Sequence, residues 1–303
     1  MLHVIYRSYG GENKKGRPDY YSKLLALASF LRSFEAVTGE KEVIFLNDGA
    51  IGEDRLQLMR RYGEIVAEEN MGLVGSLHRT TALPAERGWK PHEVAWLAED
   101  DYLYALDAMP NLVAATQAFP TADYFSLYSL IGTRQPNGLN SADDRIPKAW
   151  QHTDPVLVGQ YPWRRALSNT STYGVTVAAL AGDRQMMKLA WKTGGAFDHT
   201  ICLSYQGFAP FSLGHLTRTR PPSHGIRDRV FGYARDTVRA AFNVYSILRS
   251  MAGAKKRLLM SSDPALITHM ESAMMAEGTD WDAVATATLA WYRDQEPAEG
   301  TRS

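Results

Sequence analysis

The stretch Val94-Ala95-Trp96-Leu97-Ala98-Glu99-Asp100-Asp101-Tyr102-Leu103-Tyr104 decides how this chain is read, because a short apolar run ends abruptly in three carboxylates. A run of this length closed by a polar cluster predicts a buried strand that delivers polar side chains at its C-terminal end. Two earlier runs have the same form: Leu2 to Tyr6 before Arg7-Ser8, and Val43 to Leu46 before Asn47-Asp48-Gly49. Between them, within Tyr20 to Val37, Leu24, Leu27, Ala28, Leu31 and Phe34 recur at helical spacing. Leu56 to Tyr62 predicts a shorter helix ahead of a further strand over Glu64 to Ala67. Strands alternating with helices predict a parallel α/β fold. In open sheets of that kind ligands bind beyond the carboxyl ends of the strands, which is where Arg7, Asp48 and the acidic triplet fall.

Downstream, strands are expected over Tyr124 to Leu130 and Tyr173 to Leu180, with a polar loop from Thr133 to Ser168 between them and a helix over Met186 to Trp191. Gly214 to Leu258 differs from the rest of the chain: ten Lys and Arg residues stand against only Asp228 and Asp236, a local charge near +8, so the remainder carries about −8 in a protein whose 33 basic and 33 acidic residues cancel overall. With 303 residues, 45% of them hydrophobic, the chain reads as globular, and no overall charge excess points to a polyanionic partner. The single cysteine, Cys202, excludes an internal disulfide and a cysteine-based zinc site, so a cytoplasmic setting is expected. The apolar start is too short for a signal peptide. No window approaches the roughly 18 apolar residues of a membrane span, and Gln295 to Ser303 reads as a frayed tail.

Carboxylates held at a strand end are hard oxygen ligands suited to Mg²⁺ or Mn²⁺, and such an ion bridges a nucleotide diphosphate and neutralises a leaving group. Glu99, Asp100 and Asp101 have that placement, although a solvated loop or a helix N-cap uses the same residue types. The stretch WLAEDDYLY, following the FLNDG turn, resembles the GT-A class of nucleotide-sugar glycosyltransferases, family-2-like, in which an aspartate-rich DXD element binds the metal and the sugar nucleotide. Further stretches resemble the same family in order. Gly16 to Lys23 resembles the loop entering the first helix, and Gly75-Ser76 the donor-side loop. Trp163-Arg164-Arg165 with SNTSTYGVTVAAL resembles the acceptor-side loop and strand, and Phe197-Asp198-His199 the position of the catalytic base. Asp263 to Glu271 with Asp280-Trp281 resembles a C-terminal strand whose histidine completes the metal site.

The resemblance implies a GT-A, Rossmann-like α/β fold, with a mostly parallel central sheet flanked by helices and a basic helical insertion near the C-terminus. The expected division is a catalytic core over 1–206, with a nucleotide-sugar half to about 104 and an acceptor half beyond it, a basic insertion over 207–258, and a completing strand and helix over 259–294. It implies Asp101 and His269 as metal ligands, with His224 as a competing candidate. Glu99 and Asp100 would hold the ribose or a metal-bound water, and Asp198 would be the general base of an inverting transfer from a UDP- or GDP-linked sugar to a hydroxyl. Asp48 would hydrogen-bond the nucleotide base, with Arg7 and Ser76 approaching the base or diphosphate. Each has an ordinary alternative: Asp48 as a turn former in Asn-Asp-Gly, Arg7 as a surface arginine, Ser76 as a loop serine, Asp198 as a helix N-cap.

A helix is expected over Arg227 to Met251. One arc gathers Val230, Tyr233, Ala234, Ala241, Val244 and Leu248; the other gathers Arg227, Phe231, Arg235, Arg239, Phe242, Tyr245 and Arg249. The basic aromatic arc has three readings: a face docked on the catalytic domain, an anionic membrane contact that brings the site to a lipid-linked saccharide, with the protein peripheral at the inner membrane surface, or a nucleic-acid contact in which a modified base of DNA is the acceptor. Outside glycosyl transfer, a nucleotidyltransferase and a non-catalytic sugar- or polyanion-binding module remain as rivals. For the nucleotidyltransferase, Gly10-Gly11 with Lys14-Lys15 is the faint echo of a glycine-rich nucleotide loop.

Overall fold

The computed structural model describes residues 1–12, 15–128, 154–195, 197–212 and 226–295, the side chains of 226–231 excepted. Nine strands form one central sheet: β1 (Leu2–Tyr9), β2 (Lys41–Asp48), β3 (Glu64–Glu68), β4 (Val94–Glu99), β6 (Tyr124–Ser126), β7 (Val156–Val158), β8 (Tyr161–Arg165), β9 (Tyr173–Thr176) and β10 (Leu259–Ser262). Their order is β3-β2-β1-β4-β9-β6-β10-β8-β7. Only β8 and β9 run against the others, so the sheet is mostly parallel. A separate ribbon pairs β5 (Tyr102–Tyr104) with β11 (Ile267–His269).

Alternation along the strands sends side chains into two cores, one on each face of the sheet. Val4 and Tyr6 of β1, Val43 and Phe45 of β2, and Val94 and Trp96 of β4 face the first core. It is closed by α1 (Lys23–Glu35), α2 (Glu53–Tyr62), α5 (Ala108–Ala118) and α9 (Trp281–Gln295). Ile5, Ile44, Leu46, Ala95 and Leu97 face the second, beneath α4 (Leu83–Glu86), α6 (Val177–Ala190), α7 (Phe197–Tyr205) and α8 (Ile226–Met251). The helix α1 begins where Ser22 accepts a hydrogen bond from Leu25 N at 3.0 Å. Its buried serines secure its neighbours: Ser29 Oγ accepts from Tyr104 N at 3.1 Å and Ser33 Oγ from Met109 N at 2.9 Å. No described helix is long and apolar enough to cross a membrane.

Three expectations are corrected. The strand expected over Tyr173 to Leu180 stops at Thr176, whose hydroxyl accepts from Ala179 N at 3.3 Å and caps α6; the alanine-rich run after it is helical, and the expected helix from Met186 is the end of α6. Within the expected loop ending at Ser168, β7 and β8 form strands, and Trp163-Arg164-Arg165 pair with β10. That pairing partner lies about a hundred residues away, so no local signal announces it. Gly75-Ser76 sit in a helix, α3 (Gly72–Thr80), rather than a loop.

For α8, of the three readings of the basic aromatic arc, the docked one is what the structure shows. Phe242 and Tyr245 pack into the second core. Arg239 Nε donates to Thr193 O at 3.2 Å, and Arg249 pairs with the fully buried Asp183. Apolar side chains of the other arc, Tyr233, Val244 and Leu248, are exposed. This orientation goes with the acid beneath the helix: Asp183 also pairs with Arg257, at 2.9 Å, and accepts from Tyr124 OH at 2.8 Å. Turning this face outward would leave the Asp183 carboxylate buried without Arg249, which is costly, and would expose Phe242.

Candidate active site

Parallel pairing aligns the C-terminal ends of β1, β2 and β4, with Arg7 beside Glu99 and Tyr9 beside Asp48. Beyond these ends opens a cleft of about 760 Å³, lined by Arg7, Asp48, Ser76, Glu99, Asp100 and Asp101 among others. Six residues anticipated from sequence therefore line one cleft of a size that suits a small ligand. His269 is brought to Asp101 at the cleft's edge by tertiary structure: β11 pairs antiparallel with β5, placing His269 opposite Tyr102, and Met270 N donates to Asp101 O at 2.9 Å. His269 Nε2 then lies 2.9 Å from Asp101 Oδ2, its ring stacked on Tyr102.

Asp198 lies next door. It lines a smaller pocket, of about 30 Å³, which shares Arg7 with the main cleft and is otherwise mostly apolar, with Leu97, Phe197 and Ile201 in its wall. The Asp198 backbone sits in the first turn of α7, and its carboxylate accepts from His199 N at 3.1 Å. His224 lies outside the described residues.

The three carboxylates of the triplet are held differently. Glu99 forms an ion pair with Arg7, whose Nη1 also donates to Ser76 Oγ at 3.4 Å. Asp100 accepts from Tyr9 N at 2.8 Å and pairs with Lys23 at 3.0 Å and Arg55 at 3.7 Å. Asp101 meets His269 and, at 3.2 Å, Arg17. Their proton affinities separate accordingly. Burial raises Glu99, against the charge of Arg7, and burial raises Asp100, against Lys23. Burial acts on Asp101 too, yet the His269 hydrogen bond and charge, with Arg17, outweigh it and lower its pKa to about 2. Asp101 is thus the member held most firmly as an anion. Burial also raises the pKa of Asp198, opposed by the His199 N–H, which moves it toward the range of a working base.

Asp48 serves neither reading directly but holds a turn distant in the chain: its two oxygens accept from Met71 N at 3.2 Å and Gly72 N at 3.0 Å, fixing the entry to α3. Asn70 and Gly72 there take positive φ, 57° and 61°, and both line the cleft. Sequence reasoning missed this turn although Asn and Gly are its usual residues. It also gave no role to Arg17, Lys23 and Arg55 around the triplet; Arg55 comes from α2 and no local pattern marks it. Ser8 Oγ, buried in the cleft wall, has no hydrogen-bond partner among the described residues. A buried polar atom left without a partner in a cleft wall is a natural contact for a ligand.

As a metal site the described residues supply two donors. No group of three or more His, Cys, Asp or Glu side chains gathers to hold an ion alone. Asp101 Oδ2 and His269 Nε2, 2.9 Å apart, have the separation of two neighbouring ligands on one ion, and small divalent cations at nucleotide sites commonly take one or two protein ligands and draw the rest from phosphates and water. The pair fits such an ion.

No family model and no curated protein matches the chain. Similar solved structures include S. aureus TarS 1–349, at 12% identity and a TM-score of 0.40 over 67% of this chain and 54% of that one. The same fragment was solved with UDP-GlcNAc, with a TM-score of 0.38. CMP:2-keto-3-deoxy-manno-octonic acid synthetase with CTP gives 9% identity and 0.39 over 97% and 99% of the two chains. The galactosyltransferase LgtC with donor and acceptor sugar analogs gives 9% and 0.33 over 58% of each. The chain spans about half the length of the TarS fragment. All these TM-scores lie below 0.5 and carry no assignment of activity.

Proposed function

We propose that the cleft binds a nucleotide-diphosphate sugar, UDP- or GDP-linked, and that the protein transfers the sugar with inversion to a hydroxyl of an acceptor, a saccharide or lipid-linked saccharide. The observation that carries this reading is the meeting of Arg7, Ser76 and the triplet in one cleft at the strand ends, with Asp198 in a pocket that shares Arg7. Arg7 places positive charge between the two spaces, where a diphosphate joined to a sugar needs it. Asp198 takes the proton of the acceptor hydroxyl as that oxygen bonds to the anomeric carbon. The bond from that carbon to the diphosphate oxygen breaks, and its electron pair leaves on the diphosphate. Asp101 and His269 would hold Mn²⁺ or Mg²⁺, which when bound supplies positive charge to the leaving diphosphate. Arg17, Lys23 and Arg55 keep the triplet's carboxylates oriented.

One observation favours a second reading, a nucleotidyltransferase: Gly10 and Gly11 line the cleft directly after β1. A thermal-shift screen separates the two, since a ligand bound to the native state raises the melting temperature. UDP- or GDP-sugars with Mn²⁺ should raise it, and Asp101→Asn should remove the Mn²⁺-dependent part. A shift with nucleoside triphosphates alone would transfer the assignment to nucleotidyl transfer, and no shift with any nucleotide would leave only the binding-module reading.

A further inference from the structure

Docking α8 through its basic aromatic arc leaves an unusual surface on the outside. Tyr233, Val238, Val244, Ile247, Leu248 and Met251 are 38 to 78% exposed. They are six of the fourteen large apolar side chains exposed among the described residues, so nearly half of that exposure lies on one helix. Scattered exposed apolar residues are normal, but a contiguous patch marks an interaction surface. At 3.6 residues per turn these six fall in one half of the helix circumference, and between Gly232 and Met251 that half holds no charged residue. An ordinary surface helix places its charges there.

The charges at the borders of this face are of one sign. Arg235 is exposed, Lys255 and Lys256 are exposed just past the C-terminal end, and Lys192 is exposed on the turn against which α8 packs. Among the described residues the acids of the neighbourhood, Asp236, Asp183 and Asp123, are buried, with Arg239 near the first, Arg249 on the second and Lys255 donating to the third at 2.9 Å, which leaves Arg235, Lys256 and Lys192 as the cations this face offers. A second copy of the chain is a poor match, because a two-fold axis pairing these helices antiparallel sets Arg235 of one against Lys255 and Lys256 of the other. An anionic bilayer is a good match: the apolar half enters the headgroup–acyl boundary while the bordering cations meet lipid phosphates.

We infer that the outward face of α8 docks this protein on an anionic lipid bilayer. The face involved is the apolar arc, not the basic one that the sequence put forward. The N-terminal half of α8 adjoins the candidate site: a Cβ at Gly194 would lie 3.8 Å from the Arg235 side chain, and one at Gly195 3.4 Å from Arg239, on the segment leading into α7 and Asp198. On the function proposed above, and resting on it, docking would present the Asp198 pocket to an acceptor at the membrane surface.

The test is flotation of the full chain with vesicles of phosphatidylcholine containing about 30% phosphatidylglycerol, and with phosphatidylcholine alone. The protein should float with the anionic vesicles and more weakly with the neutral ones. The double variant Val244→Glu/Leu248→Glu changes only exposed positions. It should lose at least about ten-fold in binding while keeping the wild-type melting temperature and nucleotide response. Equal flotation of wild type and variant overturns the inference, as does absence of flotation. A wild-type dimer that the variant reduces to a monomer, with neither floating, assigns the face to a second copy and overturns it too. A failed nucleotide shift with vesicle binding intact would remove the proposed function and leave the docking in place.

Discussion

Replacing Asp198 by Asn separates its proposed role in catalysis from its effect on stability, because the two effects have opposite signs. Asparagine keeps the size of the side chain and an oxygen to accept from His199 N, seen at 3.1 Å, so α7 should remain in place. It cannot take up a proton, and loss of a general base costs about 10²–10⁴-fold in rate, or about 2.7–5.4 kcal/mol of barrier. Stability should move the other way. Burial raises the Asp198 pKa in the folded protein, so the ionised form destabilises the native state relative to the unfolded chain. That penalty is absent below the ordinary carboxyl value, grows as pH rises from there to the raised folded value, and is constant above it. Asp198→Asn removes it, so the melting temperature of the variant should equal wild type in acid and exceed it near neutrality. The acidic limb of the wild-type kcat/KM profile should lie above the ordinary aspartate range and vanish in the variant. Transfer within about ten-fold of wild type, or a variant less stable than wild type at neutral pH, would refute the reasoning.

Asp183→Ala should lower stability in urea unfolding by about 3–5 kcal/mol, since it leaves Arg249 and Arg257 without their buried carboxylate; a loss under about 1 kcal/mol would mean that the network does not hold α8. Gly10→Ala would set a Cβ 2.4 Å from the Ala50 carbonyl oxygen, so the cleft wall must shift, costing about 1–3 kcal/mol and weakening nucleotide binding. Gly16→Ala, whose nearest neighbour would be 3.8 Å away, is the matched control, and equal effects of the two would count against the steric argument.

Much of the site was readable locally. Arg7, Asp48 and the Glu99 triplet each end an apolar run, and three such runs in an α/β pattern must finish on one edge if their strands are parallel. The same reading fails where a residue's surroundings come from distant chain. Trp163-Arg164-Arg165 became a strand because β10 lies beside them, and Ser76 entered a helix because Asp48 fixes the turn before it. The reading of α8 shows the limit most clearly. Periodicity divided its two arcs correctly, but which arc faces inward depends on Asp183, more than forty residues earlier in the chain.

The sequence by itself determined the fold class and the edge of the sheet where the candidate cleft opens, since strand burial and strand order leave a periodic trace in neighbouring residues. The meeting of His269 with Asp101 was anticipated only through the resemblance, and tertiary structure alone decided that Arg17, Lys23 and Arg55 surround the triplet and that the apolar face of α8 is left outward. Those outcomes depend on strand pairing and buried charge between segments far apart in the chain, and neither is written in any local pattern of residues.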